Sequence, residues 1–120
     1  MKLPNAENAF VDIAKLRDYC LNPNHPEGKH KAHIFQEKIG FGQNDAERLR
    51  QLILQEILTA EAREESATAY GRRFVVDFMI RVDEQFKYVL SFVTIRSAWI
   101  IRNEEDFPRL TTCFIFKRSS

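Results

Sequence analysis

The hydrophobic pattern changes its period near Ser66, and this change limits the fold more than any other feature of the sequence. Upstream, apolar residues recur three or four positions apart, as on one face of a helix; the clearest stripe is Leu49, Leu52, Ile53, Ile57 and Ala60. Downstream, apolar residues alternate with polar ones, as in half-buried strands: Phe74, Val76, Phe78, Ile80 and Val82. We therefore predict a single α+β domain, residues 1–120, in which two to three N-terminal helices pack on a roughly four-stranded antiparallel sheet.

Capping and breaking residues place the ends of the predicted helices. Asp12 is expected to cap a first helix, which stops at the following Asn-Pro pair. A second helix is predicted over about 29–38, with Gly40 as its stop. A third begins at an N-cap Asn44, with Glu47 three positions later.

The second part of the chain is predicted to form four strands. A short one lies at 67–70, two long ones flank a turn at 83–85, and the last covers 110–117. Trp99 is assigned to the core. The other sheet face is expected to be polar: Asp77, Arg81, Thr94, Arg96, Arg102 and one of Thr111 and Thr112, whose hydroxyls point to opposite faces. Such a face is either solvent-exposed sheet or a binding surface.

One loop has a composition that folding alone does not require. Residues 21–35, a loop that runs into a helix, hold two prolines, a glycine, two lysines and all three histidines of the chain. His25 lies between the two prolines. A histidine near cations is suited to take a proton from a ribose hydroxyl or to give one to a leaving oxygen. The alternative is that the His25 ring only caps or packs the loop.

Lys29 and Lys31 fall in the first turn of the predicted second helix. Free backbone N–H groups and the helix dipole already favour an anion there, so the lysines could bind a phosphate. The alternative is a basic, solvated turn. Residues two apart point along different faces of a helix, and we do not expect both lysines to serve one site. Lys31 is assigned to the catalytic set and Lys29 to substrate binding.

Arg96 completes the predicted catalytic set. Its guanidinium could stabilise the extra negative charge of a phosphorane-like transition state through bidentate hydrogen bonds. The alternative is a cross-strand ion pair with Asp77. Three further residues are assigned to substrate binding: Arg102, Thr111 and Thr112.

The three histidines do not predict a metal centre. Only His30 and His33 are one helical turn apart, and no cysteine or clear carboxylate completes a coordination shell. The sequence also lacks the motifs of nucleotide-binding loops, serine hydrolases and zinc proteases. We expect neither a metal nor a cofactor.

Charge, cysteine content and hydropathy limit the classes of protein to which the chain can belong. The net charge of +1 does not drive the whole protein onto nucleic acid or anionic lipid, so RNA binding requires local positive charge. Cys20 and Cys113 lie far apart without a CxxC pair and are expected to be reduced core residues. No apolar run suits a signal peptide or approaches the roughly 20 residues of a bilayer span. We expect a cytoplasmic protein that makes no membrane contact.

Several segments together resemble an uncharacterised bacterial domain family. They are Leu3-Pro4-Asn5-Ala6, Lys15-Leu16-Arg17-Asp18-Tyr19-Cys20-Leu21-Asn22-Pro23, His25-Pro26, Gly28, Lys31-Ala32, Tyr70-Gly71, Arg96-Ser97-Ala98-Trp99-Ile100-Ile101 and Asp106-Phe107-Pro108-Arg109-Leu110-Thr111-Thr112. The resemblance covers nearly the whole chain. Its members occur as small stand-alone proteins and as C-terminal modules of polymorphic toxins, which implies a toxin role.

The order of elements is also similar to that of metal-independent ribonucleases such as barnase, EndoU and RelE-like toxins. These enzymes place basic residues, often with a histidine, on the sheet face and the helix edge, and cleave RNA through attack of the 2′-hydroxyl. By this analogy His25 would transfer a proton, Lys31 and Arg96 would hold the phosphate, and Thr111 or Thr112 would orient it.

Three hypotheses on function follow. The first is a toxin-like, metal-independent endoribonuclease with RNA as substrate and a cognate inhibitor or partner protein. The second is a non-catalytic protein-interaction module, or a partner protein of a toxin system, that docks another chain on the polar sheet face. The third is a pure RNA-binding domain. The sequence disfavours it, because base stacking requires exposed aromatic rings and most of the ten phenylalanines fall on predicted core positions.

Overall fold

The fold places helices before a four-stranded antiparallel sheet, as predicted. The structure, a computed structural model, describes residues 1–82 and 91–116. The strands follow one another in the order β1-β2-β3-β4 across the sheet. The α+β class is therefore confirmed. The predicted turn at 83–85 and the end of the last strand at residue 117 lie outside the described residues.

The first helix changes type along its length. Helix α1, Ile13–Lys15, begins at Asp12, whose side chain accepts the N–H of Ala14 at 3.0 Å as predicted for a cap. It continues as a π-helix, Leu16–Cys20, closed by a 2.8 Å hydrogen bond from the Leu21 N–H to the Leu16 carbonyl. Single π-helical turns are rare, and they occur frequently at functional sites.

Helix α2, Lys29–Ile39, agrees with its prediction to within one residue. It ends at Gly40, whose φ of 70° is in the left-handed region that favours glycine. The buried side chains of Ala32 and Phe35 hold the helix on the core.

Helix α3, Ala46–Glu56, starts differently from its prediction. A 3₁₀ turn, Gln43–Asp45, precedes it, and the carboxylate of Asp45 accepts the Gly42 N–H at 2.8 Å. The predicted N-cap at Asn44 is wrong, because Asn44 lies inside this 3₁₀ turn. A further 3₁₀ turn, Ala6–Asn8, lies near the start of the chain.

The strands are β1 (Ala62–Thr68), β2 (Gly71–Val82), β3 (Ser91–Arg102) and β4 (Arg109–Phe116). Strand β1 begins well before the predicted 67–70. Among the described strands it pairs only with β2, and its exposed charged residues give no apolar alternation from which a strand could be predicted. None of the helices in the described part of the chain has the length and apolar content to cross a membrane.

The helices cover one face of the sheet, where the core lies. Trp99 is buried there, as predicted, and its Nε1–H donates to Ser97 Oγ at 2.8 Å. The Ser97 hydroxyl in turn donates to the Val76 carbonyl at 2.8 Å. These two hydrogen bonds satisfy the hydroxyl of Ser97, which is the only buried polar residue among those described.

Strand β4 forms an edge that the N-terminal part of the chain covers. The Phe10 N–H donates to the Pro108 carbonyl at 2.8 Å, and the Leu110 N–H donates to the Phe10 carbonyl at 3.0 Å. Within β4, Ala98 pairs with Thr112 but Trp99 pairs with Leu110, which leaves Thr111 as a bulge.

We call the sheet face opposite the helices the outer face. The register places the predicted polar residues on it: Asp77 faces Arg96, Met79 faces Thr94, and Arg81 faces Phe92. The face also carries aromatic rings that the sequence interpretation did not assign to it. Of the nine phenylalanines in the described ranges, only four are buried: Phe35, Phe41, Phe74 and Phe78. The expectation that most phenylalanines belong to the core is therefore wrong.

Candidate functional site

An open cleft of about 600 Å³ lies where the π-helix and the start of α2 meet β4. It is lined by Asp12, Ala14, Lys15, Asp18, Tyr19, His25, Lys31, Thr111 and Thr112. Four of the seven predicted site residues thus share one cleft: His25, Lys31, Thr111 and Thr112. The bulge at Thr111 explains why both threonines line it, although strand alternation predicted one hydroxyl for each sheet face.

Lys31 is the centre of the polar network in this cleft. Its Nζ donates to Tyr19 Oη at 2.9 Å and to Thr112 Oγ1 at 3.3 Å, and lies 4.7 Å from the centroid of the Tyr19 ring. No ion pair joins it to a carboxylate of residues 1–82 or 91–116. An ammonium group has three donors, so one remains for a ligand. The half-buried charge is therefore held in place by two hydroxyl groups and not by a described carboxylate.

His25 is fixed by its own loop. Its Nδ1 accepts the backbone N–H groups of Glu27 and Gly28, both at 3.0 Å. A nitrogen that accepts carries no hydrogen, so the neutral ring has its proton on Nε2. The ring also packs edge-on against Tyr19, with centroids 4.8 Å apart and an interplanar angle of 85°. His25 therefore caps its loop and also lines the cleft, with Nε2–H as the donor that it can offer.

Gly28 allows the loop to approach the π-helix closely. A Cβ at this position would lie 2.3 Å from the Tyr19 carbonyl oxygen and 3.2 Å from Cδ2 of its ring. Only glycine permits this approach, which aligns the Gly28 N–H with His25 Nδ1. The loop composition noted in the sequence thus has a structural cause at this residue.

Two buried thiols lie beneath the cleft floor. Cys20 and Cys113 are free and buried, as predicted, and Cys20 Sγ lies 3.8 Å from Thr112 Oγ1. The hydrogen bond from Cys113, helped by Thr112 and Lys31, lowers the pKa of Cys20 to about 7 against the opposing effect of burial. The same contact with Cys20, together with burial, raises the pKa of Cys113 well above its usual value.

Two carboxylates lie at the cleft rim. Asp18 binds Arg17 through contacts of 2.9 and 3.1 Å, which lower the pKa of Asp18. Asp12 uses Oδ1 to accept the Ala14 N–H, and its Oδ2 has no protein partner within the described ranges. Asp12 is thus the carboxylate with a free oxygen.

Arg96 does not line the cleft. It forms a bidentate pair with Asp77 at 2.8 and 2.8 Å, and its guanidinium stacks 3.8 Å from the centroid of the Phe116 ring. The hydrogen bonds that Arg96 donates to Asp77 raise the pKa of Arg96. The structure therefore shows the cross-strand pair, the alternative to a catalytic arginine, and does not group Arg96 with His25 and Lys31.

Two predicted substrate-binding residues also lie elsewhere. Lys29 is the exposed first residue of α2 and is not part of the cleft lining. Arg102 lies 3.8 Å from Glu105 and lines a second cleft of about 570 Å³ with Tyr70 and Asn103. Among residues 1–82 and 91–116, no three His, Cys, Asp or Glu side chains converge in a way that could hold a metal ion.

The comparison with protein families covers almost the whole chain. A family model described as Domain of unknown function (DUF6883) matches residues 2–117. The chain belongs to this family. All residues that line the cleft lie within this DUF6883 domain. No curated protein and no solved structure matches the chain.

Five of the nine residues that line the DUF6883 cleft were not predicted as site residues, and Tyr19 and Asp12 are the two with a polar group placed for chemistry. Tyr19 was named only within the resembling segment 15–23, and Asp12 was assigned only a capping role. The quoted segment 15–23 contains Tyr19 and Cys20 shortly before the histidines, and this proximity was the available signal. The π-helical turn that contains Tyr19 has no residue signature, so its orientation toward Lys31 could not be predicted.

Proposed function

We propose that the DUF6883 domain is a metal-independent endoribonuclease with its active site in the cleft around Lys31. The observation that carries this proposal is the Lys31 ammonium, held by Tyr19 Oη and Thr112 Oγ1 and not paired with any described carboxylate. A fixed, partly desolvated cation in an open cleft suits the negative charge that develops on a phosphodiester during cleavage.

The proposed reaction uses the RNA itself as nucleophile. The 2′-oxygen attacks the adjacent phosphorus, and the bond from phosphorus to the 5′-oxygen of the next nucleotide breaks. The products are a 2′,3′-cyclic phosphate and a free 5′-hydroxyl. One proton leaves the 2′-hydroxyl and one is delivered to the 5′-oxygen, so the reaction needs one base and one acid.

Asp12 and Tyr19 fit these two roles. The free Oδ2 of Asp12 can take the proton of the 2′-hydroxyl. The Tyr19 oxygen accepts a hydrogen bond from Lys31 and keeps its own O–H, which can protonate the departing 5′-oxygen. Lys31 then stabilises the phenolate that this step leaves behind.

His25 is proposed to donate Nε2–H to a non-bridging phosphate oxygen. Proton uptake by the neutral ring would occur at Nδ1 and would break both backbone contacts there. For this reason we assign proton transfer to Asp12 and Tyr19 and electrostatic stabilisation to His25. The expectation that His25 itself transfers the proton stays a prediction. It requires that His25 Nδ1 first releases the N–H groups of Glu27 and Gly28.

The proposed biological setting follows from the resemblance described above. A bacterial, toxin-like ribonuclease would act on cytoplasmic RNA and would require a cognate inhibitor or partner protein. The competing function, a protein-interaction module, is supported by Met79 and Phe92, which are 65% and 57% exposed on the outer face.

The test is incubation of the purified protein with labelled single-stranded RNA in EDTA. We expect cleavage to products ending in a 2′,3′-cyclic phosphate, with roughly 100-fold slower cleavage by Lys31→Met, as for loss of one transition-state donor. Tyr19→Phe is expected to slow cleavage comparably. The matched control is Lys38→Met, which removes an exposed lysine of the same helix away from the cleft. Intact RNA with the wild type, or equal cleavage by Lys31→Met, would overturn the proposal.

A further inference from the structure

The outer face carries aromatic rings that the core does not use. Phe114 and Phe116 are half-buried on β4, pair with Arg96 and Thr94 respectively, and point to the outer face. Alternate residues of a strand are about 7 Å apart on the same face, so the two rings lie one after the other along β4. The Arg96 guanidinium lies over the Phe116 ring, and guanidinium planes also stack on bases.

This aromatic row is continuous with the cleft. Phe114 has its ring centroid 5.7 Å from Lys31 Nζ, and Thr112, two residues earlier on β4, accepts a hydrogen bond from the same ammonium. A chain that lies along Thr112, Phe114 and Phe116 therefore passes directly beside the proposed phosphate site.

The described strand residues of the outer face carry a net positive charge although the chain is almost neutral. Arg81 has an interaction partner of its own and is left out of the count. The register places five other arginines and two carboxylates on the described strand positions of this face, a formal excess of +3 against +1 for the whole chain. These residues are Arg63, Arg73, Arg96, Arg102 and Arg109, with Glu65 and Asp77. Loop residue Glu105 binds Arg109 at 2.6 Å and reduces the excess to +2. Such local charge complements a polyanion.

From the rings, their continuity with Lys31 and the local charge, we infer that the outer face binds single-stranded RNA by stacking bases on Phe114 and Phe116. The choice of RNA rests on the proposed ribonuclease function. Bases in a duplex are stacked on one another and do not reach such rings, so the substrate is single-stranded. The inference assigns a substrate class to the cleft and a role to the face on which Arg96 lies.

The experiment measures binding of a labelled 2′-O-methyl oligouridine by fluorescence anisotropy. The blocked 2′-oxygen cannot attack, so the wild-type protein can be studied without cleavage. Loss of one stacking ring typically weakens binding by roughly 10-fold, which we expect for Phe114→Leu and for Phe116→Leu. Leucine keeps apolar packing on the face, and thermal melts check the fold. The matched control is Phe10→Leu, which removes an exposed ring on the segment that covers the β4 edge.

The outcomes separate this inference from the proposed function. Binding that duplex RNA does not compete away, and that weakens in both β4 variants but not in Phe10→Leu, supports the inference, even where unmodified RNA stays intact and the proposed function fails. Equal binding by the β4 variants overturns the inference, even where the wild type cleaves RNA. Absence of binding, with a dimer that Phe92→Lys dissociates, also overturns it and assigns the face to a second copy of the chain.

Discussion

Replacing Gly28 with alanine tests whether the cleft depends on contact between two backbone segments. The new Cβ would lie 2.3 Å from the Tyr19 carbonyl oxygen and 3.0 Å from the carbonyl carbon. The backbone of Gly28, with φ −87° and ψ −11°, is itself open to alanine. The cost therefore arises from the contact alone, and the loop must move away from the π-helix to relieve it.

The expected loss of stability has two parts. Overpacking against a rigid backbone costs about 1–3 kcal/mol. Displacement of the Gly28 N–H from His25 Nδ1 removes a hydrogen bond worth about 1 kcal/mol. The reduced freedom of the unfolded chain returns about 0.5 kcal/mol. The free energy of unfolding should thus fall by about 2.5 kcal/mol, which corresponds to a melting temperature roughly 10 °C lower for a chain of this size.

Urea denaturation and thermal melting of Gly28→Ala measure this loss, and Gly42→Ala is the matched control. At Gly42 the nearest atom to an added Cβ is Gln36 Oε1 at 3.3 Å, the far end of a flexible side chain. The control should stay within about 0.5 kcal/mol of the wild type. The reasoning is refuted when the two variants differ by less than that amount. A changed ¹⁵N shift of His25 Nδ1 in Gly28→Ala would locate the disturbance in the loop.

Three further predictions concern the core, the outer face and the thiols. Ser97→Ala leaves the buried Trp99 Nε1–H without its acceptor and should lower the free energy of unfolding in urea by about 2 kcal/mol. A double-mutant cycle with Arg96→Met and Asp77→Asn should give a coupling of about 1 kcal/mol, since both side chains are less than one third exposed; a coupling near zero would show that the pair does not form in solution. Because the pKa of Cys20 is lowered from 9.0 to about 7, the unfolded chain binds more protons between these values, so stability should rise with pH from about 7 to 9 and less so in Cys20→Ala. Equal pH slopes for the two proteins would contradict the third prediction.

Sequence reasoning located the cleft through its local composition but could not supply the contacts between distant segments. His25 lies in the loop before α2 and Lys31 lies in the first turn of α2, so their proximity could be predicted from the sequence. The bulge at Thr111 depends on how β4 pairs with β3, and alternation within β4 cannot reveal it.

Arg96 shows a different limit. Its place on the polar face of a strand suits a catalytic arginine and an ion-pair partner of Asp77 equally well. Only the register of β2 and β3, which puts Asp77 opposite Arg96, distinguishes the two roles. Similarly, Phe114 and Phe116 are of a residue type that is usually found in the core. They point outward because the helices cover the opposite face of the sheet. Burial of an apolar residue is a property of the packed layers and cannot be read from its type alone.

The contact between Lys31 and Thr112 joins residues 81 positions apart, and that between Cys20 and Thr112 joins residues 92 positions apart. Such contacts require closure of long chain loops, whose entropy must be lost before the contacts give any stabilisation. During folding, the helices and the β2–β3 pair can form through contacts between residues closer in sequence, whereas the cleft forms only after β4 has docked. A nascent chain that has not yet supplied β4 therefore has no phosphate site, and the proposed activity begins only when the sheet is complete.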